Sequence, residues 1–439
     1  MTRFRPEFTW GVSTSAYQIE GATAEDGRTP SVWDTFCRRD GAIADSSTAD
    51  VACDHYHRYA EDIALMADLG IDAYRLSTSW SRIIPDDSGK PNAAGLDFYD
   101  RLLDSVRDRG ITPVVNLFHW DLPQWAQDAG GWRNRDTVER FAEYAAIVAD
   151  RLADRVGNWA AINELFEHFV LGHVTGEHAP GLTLPLDEAG AVAHHLLLAA
   201  GHATEVLRAH GAASIMGINS YAPARPASDA EADVAMARFY DVLQNRLFTD
   251  PQLIGRYPEE AEPLVTPFVK DGDLEVISAP LDLWGVNYYS INSVRAVDGE
   301  IPLEVVAPQG YPLTAFDWAV APEGLTETLT TLHTRYGEKL PPLVVSENGC
   351  TYHDSLDTEG RCDDPDRVAY LSEHLTAVRA AIDAGVDVRG YYVWSLLDNF
   401  EWAQGYTKRF GLVHVDYETQ KRTPKTSFNW LRDHIAASR

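Results

Sequence analysis

Val344-Val345-Ser346-Glu347-Asn348-Gly349 sets two β-branched apolar residues in front of a carboxylate, then an Asn-Gly pair. The apolar run predicts a strand covered on both faces, and Asn with Gly predicts a sharp exit from it. Glu347 would then stand at the mouth of a sheet, carried by a strand rather than a mobile loop. A surface glutamate in an ordinary strand-to-helix turn fits the same six residues. The flanking chain separates the two readings.

Working outward, the run from Leu343 to Ser346 is the seventh of eight such segments. The others are Phe8 to Ala16, Ala73 to Ser77, Thr112 to Trp120, Trp159 to Glu164, Ser214 to Ser220, Leu281 to Tyr289 and Val388 to Leu397. Helical patterns lie between them. From Asp54 to Leu69 the apolar residues Tyr59, Ile63, Met66 and Leu69 recur every three or four positions, and Gly70 follows as a C-terminal stop. Similar helices are expected around Phe98 to Arg109, Thr137 to Leu152, Ala189 to Ala209, Gly324 to Tyr336, Arg367 to Ala384 and Phe428 to Ala437. Eight strands alternating with helices imply parallel pairing, and eight is the number that closes a (β/α)8 TIM barrel of the α/β class. A minimal barrel takes roughly 250 residues, so a single barrel domain over residues 1–439 must carry long βα loops. Ser81 to Ala94 and Ser290 to Pro322 read as such loops.

Composition narrows the function. The 439 residues hold 37 Lys plus Arg against 66 Asp plus Glu, a formal charge of −29. So acidic a chain argues against nucleic-acid or anionic-membrane partners. No run of eighteen apolar residues and no apolar leader near Met1 is evident, which favours a cytoplasmic, non-spanning protein. Cys37, Cys53, Cys350 and Cys362 are too scattered for a disulfide framework, and free thiols are expected, with Cys350 close to the Glu347 turn. Twelve tryptophans either pack the core or offer flat platforms for sugar rings.

Barrel enzymes place their sites at the carboxyl ends of the strands. Those ends read Gln18, Arg75, His119-Trp120, Asn163-Glu164, Asn219, Asn287 to Tyr289, Glu347 and Trp394. Almost all are polar or aromatic, as a sugar site requires. A lone histidine is more often a core residue than a ligand, and His55, His57, His194 and His195 are read that way.

From Phe8 through Trp430 the chain resembles glycoside hydrolase family 1, the β-glucosidase family. The motifs are Thr9-Trp10-Gly11, Tyr17-Gln18-Ile19-Glu20-Gly21, Phe118-His119-Trp120-Asp121-Leu122-Pro123, Asn163-Glu164, Gly285-Val286-Asn287-Tyr288-Tyr289, Ser346-Glu347-Asn348-Gly349, and Trp394 through Trp402 with Glu401. The resemblance implies retaining hydrolysis with Glu347 as nucleophile and Glu164 as acid/base. It assigns Gln18, His119, Trp120, Asn163, Asn287, Tyr289, Trp394, Glu401 and Trp402 to substrate binding, with Arg75 in support. Retaining glycosidases hold their two carboxyl groups about 5–5.5 Å apart, and a closed barrel can bring strands four and seven to one mouth. Arg75 and the Tyr289 hydroxyl should lower the Glu347 pKa, while the neighbouring negative charge should raise that of Glu164.

Around the acid/base, the family usually reads Thr-x-Asn-Glu-Pro, and this chain has Ala161-Ile162-Asn163-Glu164-Leu165. A hydroxyl is lost and a backbone N–H returns, but no reacting group is deleted. Phe166 stands where the family often has Trp, and Trp318 is a further candidate on the aglycone side. No H-E-x-x-H, EF-hand loop, G-x-G-x-x-G or phosphate loop occurs, so neither metal nor cofactor is expected. A β-galactosidase, β-fucosidase or transglycosylating variant competes with the β-glucosidase reading. A non-catalytic sugar-binding barrel is opposed by the presence of both carboxylates. A phosphoglycosidase is opposed by Glu401, whose charge should repel phosphate.

Overall fold

The computed structural model describes residues 4–299 and 301–439. Eight strands form a closed ring: β1 (Thr9–Ser13), β2 (Ala73–Ser77), β3 (Thr112–Phe118), β4 (Asn158–Asn163), β5 (Ser214–Tyr221), β6 (Leu283–Tyr288), β7 (Leu343–Asn348) and β8 (Val388–Trp394). Neighbours around the ring run β1-β8-β7-β6-β5-β4-β3-β2, and every pairing is parallel. The fold is a (β/α)8 barrel. Each expected strand is present, with ends shifted by up to three residues.

Alternation sorts the strand residues into two layers. Ala73, Val114, Ala160, Met216, Ile218, Val344 and Tyr392 pack together as a small inner core. Their alternating neighbours, such as Tyr74, Val115 and Val345, face the helices in the large outer core. Helix His55–Leu69 buries Ile63, Met66 and Leu69 and ends on Gly70, whose φ of 77° is the left-handed conformation that glycine adopts without penalty.

The opening stretch behaves as a strand but leaves it differently from expectation. Asn348 is not a turn former. Its side chain donates to the Tyr288 carbonyl (2.6 Å) and accepts from the Tyr391 hydroxyl (2.5 Å), pinning β7 to both neighbours. Gly349 is required by proximity rather than by φ, because a Cβ there would lie 1.8 Å from the Trp394 carbonyl oxygen.

Several loop expectations need correction. Gln18 lies in a short helix, Ala16–Ile19, after β1 rather than on it. Ser290 to Pro322 is not plain loop. It carries strands Asn292–Ala296 and Leu303–Val306, which join Ala224–Pro226 in a three-stranded sheet. Ser81 to Ala94 begins inside helix Trp80–Ile83 and ends in helix Ala93–Asp108. Between β5 and β6 the chain inserts several short helices, Glu231–Asp241 the longest, that no strong periodicity announced. His55, His194 and His195 are buried as expected, but His57 is exposed and pairs with Asp54 and Glu25. All four cysteines are unpaired and buried. No helix among the described residues is long and apolar enough to cross a membrane.

Candidate active site

Both acidic strand ends break their register just before the carboxylate. On β4 the pairing with β5 slips between Ala160 and Asn163; on β7 the pairings slip between Val345 and Glu347 and between Val345 and Asn348. Strict alternation sends Ser346 inward and Glu347 outward. A bulge re-aims the next side chain, a common device beside active sites. Glu347 and Glu164 are consequently buried, at 2% and 5% exposure, yet joined through one polar network.

That network runs through named atoms. Arg75 donates to Glu347 through one guanidinium nitrogen and to Asn163 Oδ1 through the other (2.5 Å). The Tyr289 hydroxyl donates to Glu347 Oε2 at 2.7 Å. Asn287 Nδ2 donates to Glu164 Oε1 (2.9 Å) and to Asn163 Oδ1 (3.1 Å), while its own Oδ1 accepts from Ser346 at 2.6 Å. Asn287 therefore links β4 to β7 from β6, one of the two strands between them. The Asn163 amide lies 3.1 Å from His119 Nε2. Burial and the Arg75 cation hold His119 well below its usual pKa, so the ring is neutral. With Nε2 accepting, His119 Nδ1 is left as a buried donor without a partner among the described residues.

Burial also governs the carboxyl pair. It pushes Glu164 well above the carboxylate range, reinforced by the charges of Glu347 and Glu167 and opposed by Asn287 and Arg75. It raises Glu347 as well, against the pull of Arg75 and then Tyr289. The expected downward forces on Glu347 exist, but desolvation outweighs them. Burial and mutual repulsion disfavour ionising both carboxyls, and the cation beside Glu347 favours the proton on Glu164.

Across the mouth, residues after β8 and β1 form a second cluster. Gln18 donates to Asn399 Oδ1 (3.1 Å) and Glu401 Oε2 (3.3 Å). Asp398, just before them, is clamped by Lys425 (2.7 Å), the residue preceding helix Thr426–Ser438, and by Arg409 (2.7 Å), so the loop is anchored from the C-terminal part of the chain. His119 stacks on Trp394 (centroids 5.5 Å apart) and Trp402 (5.9 Å), giving an apolar face beside these donors. Trp120 packs on Trp402 at 4.8 Å and donates its indole N–H to the Asn163 carbonyl at 2.9 Å, bracing that strand end. Burial and the Glu347 charge raise Glu401 to about 8. At neutral pH it is mostly uncharged in the free site, which corrects the expectation that its charge repels phosphate. What remains against a phosphate is that Arg75, the cation of the carboxyl network, is already committed to Glu347 and Asn163.

Three residues here hold left-handed backbone conformations despite bearing side chains: Trp120 (φ 78°), Glu164 (φ 48°) and Trp402 (φ 48°). Such positions cost on the order of 1 kcal/mol or more and gather at functional sites. Leu165, which replaces the expected proline, opens helix Leu165–His173 at its first position, where proline is also well suited. Ala161 is buried in the outer core, where a methyl group suits the apolar surroundings. Trp318 packs on Tyr289 at 5.5 Å and on Phe316 at 4.5 Å, half-buried at the rim. Asn219 turns away and donates to Thr249 at 3.4 Å.

A family model described as glycosyl hydrolase family 1 matches residues 1–439. The chain belongs to glycosyl hydrolase family 1. It is 42% identical to β-glucosidase A of Acetivibrio thermocellus, with 98% of each chain covered. It is 44% identical to a bifunctional β-D-glucosidase/β-D-fucosidase of Bifidobacterium breve, with 99% of each covered. The structure superposes on a psychrophilic β-glucosidase from Micrococcus antarcticus with a TM-score of 0.96 at 44% identity, covering 100% of this chain and 98% of that one. As a family 1 member the protein is a hydrolase of glycosidic bonds.

One prediction follows from the carboxyl pair. Tyr289→Phe removes a donor that favours ionised Glu347, so the nucleophile's pKa rises. The acid limb of kcat/KM should move up by about one pH unit or more, since a hydrogen bond to a charge contributes about 1.5–3 kcal/mol. An unmoved acid limb on a nitrophenyl β-glucoside would show that the hydroxyl does not control Glu347.

Proposed function

We propose that the protein is a retaining β-glucosidase that removes terminal β-D-glucosyl residues from small β-glucosides or oligosaccharides. The observation that carries this reading is the asymmetry of the two buried carboxyls: Glu347 against Arg75 and Tyr289, Glu164 without an ion-pair partner among the described residues.

In the first step Glu347 attacks the anomeric carbon and forms a glycosyl ester, while Glu164 transfers its proton to the departing oxygen. The ester carries no charge, so Glu164, now ionised, has lost the neighbour that raised its pKa. It then takes a proton from water as that water attacks the anomeric carbon, and Glu347 leaves as the carboxylate. We assign Asn163 to the sugar 2-hydroxyl, a contact that strengthens in the oxocarbenium-like transition state. Gln18, His119 and Glu401 read the remaining hydroxyls, Trp394 and Trp402 supply the stacking face, Trp120 braces Asn163, and Asn287 holds Glu164.

Activity on β-fucosides is the second reading, favoured by the bifunctional name of the Bifidobacterium breve relative. We take the whole chain as one barrel domain. The four unpaired, buried thiols support a reducing, cytoplasmic setting.

The test is a panel of nitrophenyl β-glycosides, with the first-formed sugar anomer followed by proton NMR. We expect β-glucoside cleavage with β-glucose appearing first. Absence of β-glucoside cleavage would refute the substrate class, and α-glucose first would refute retention.

A further inference from the structure

Glu167 stands three residues after Glu164, on the first turn of helix Leu165–His173, and is half-buried. One of its oxygens, Oε1, accepts from the Ser220 hydroxyl (3.0 Å) and from Gln244 Nε2 (3.3 Å). Gln244 is itself held: it donates to Ser220 (3.0 Å) and accepts from the Tyr240 hydroxyl (3.0 Å), which accepts from Asn292 (3.0 Å). A chain of four polar side chains thus fixes the carboxyl. Among the described residues the other oxygen, Oε2, carries no hydrogen bond, although it is not sealed from solvent.

Position on the ring says which part of a substrate meets it. Ser220 lies at the carboxyl end of β5, diametrically opposite β1 in the order β1-β8-β7-β6-β5-β4-β3-β2. Gln18 and Glu401, the ring-holding cluster, follow β1 and β8 on the far side. Glu164 lies between and must touch the departing oxygen, so what lies beyond it toward β5 faces the leaving group.

We infer that Glu167 is a specificity-determining residue for the leaving group, its Oε2 accepting hydroxyl donors of a departing sugar. This rests on the β-glucosidase reading above. A fixed acceptor with one oxygen uncommitted suits a hydroxyl-rich aglycone and offers nothing to an apolar or aromatic one. Trp318, half-buried at the rim, offers apolar surface to the latter, which need not contact Glu167 at all.

Three substrates separate this role from its rivals. A nitrophenyl β-glucoside has an aromatic leaving group that departs without a proton. Methyl β-glucoside needs the proton but has no hydroxyls beyond the scissile bond. A β-linked glucose disaccharide needs the proton and has the hydroxyls. In Glu167→Ala, compared at a pH well below the alkaline limb, where Glu164 is protonated with or without the Glu167 charge, kcat/KM on the disaccharide should fall about tenfold, chiefly through KM, with the other two substrates changed less than about twofold. Glu167→Gln keeps the shape and should lie between. An equal fall on methyl glucoside would overturn the inference, because Glu167 would then act through the Glu164 proton. Equal falls on all three would mark a structural role, and no change on the disaccharide would also overturn it. If the native enzyme cleaves none of the three, the β-glucosidase reading falls first. If it cleaves them and their ratios do not move, only this inference falls.

Discussion

Glycine at position 347 should lower kcat/KM on a nitrophenyl β-glucoside by at least about 10⁴-fold, because the substitution deletes the group that forms the covalent bond. Few other losses could be that large. Binding contacts at Gln18 or Trp402 act on ground state and transition state alike, and a lost general acid matters little when nitrophenolate leaves unaided. The variant also leaves Arg75 buried with Asn163 as its remaining partner, so folding must be checked by thermal melting. Glu347→Gln offers a second form that keeps the shape. Residual activity above about one hundredth of native in both, with folding intact, would refute the assignment of the nucleophile.

Glu164→Ala should separate substrates by leaving group. On methyl β-glucoside the loss should be about 10²–10⁴-fold, the usual contribution of general acid catalysis. On nitrophenyl glucoside formation of the glycosyl ester should survive and its hydrolysis become slow. Azide, entering the space the side chain vacates, should speed turnover and yield the β-glycosyl azide. An α-azide would contradict a covalent intermediate on Glu347. The pH profile gives an independent reading. The acid must be protonated to act, so native activity on methyl glucoside should decline as pH rises through the raised Glu164 pKa. That alkaline limb should vanish in the variant, and its persistence would reassign the proton donor.

Much of this was legible before any coordinates. Apolar runs such as Val344-Val345 marked the strands because parallel strands are buried on both faces, and glycine stops bounded the helices. Spacing could not announce the register slips on β4 and β7, since a bulge changes which face a side chain takes without changing composition. Asn348 shows the same limit: Asn-Gly favours turns in isolation, and here two neighbouring strands claim the amide. Most of the short helices between β5 and β6 were missed because they are too brief to show a period, and Glu231–Asp241 buries only Asp233, Ala237 and Tyr240, which do not form an apolar stripe. Burial defeated the charge argument at Glu401, where desolvation keeps a carboxyl neutral that a formal count makes negative. Glu167 was overlooked, though a carboxylate three residues past the acid/base was signal enough to single it out.

The pairing of β1 with β8 has a consequence for how the chain comes to life. Gln18 and Glu401 touch across 383 residues of sequence, and β1 gains its second neighbour only when β8 exists. During synthesis the growing sheet therefore carries two unsatisfied edges, each a template for pairing with another chain. No catalytic intermediate of the fold is possible: a nascent chain that already holds Glu164 and Glu347 still lacks half of its sugar cradle. Late closure of this kind makes folding slow and exposes the open sheet to aggregation. Yield of active enzyme should then depend on translation speed and chaperones more than on the stability of the finished barrel.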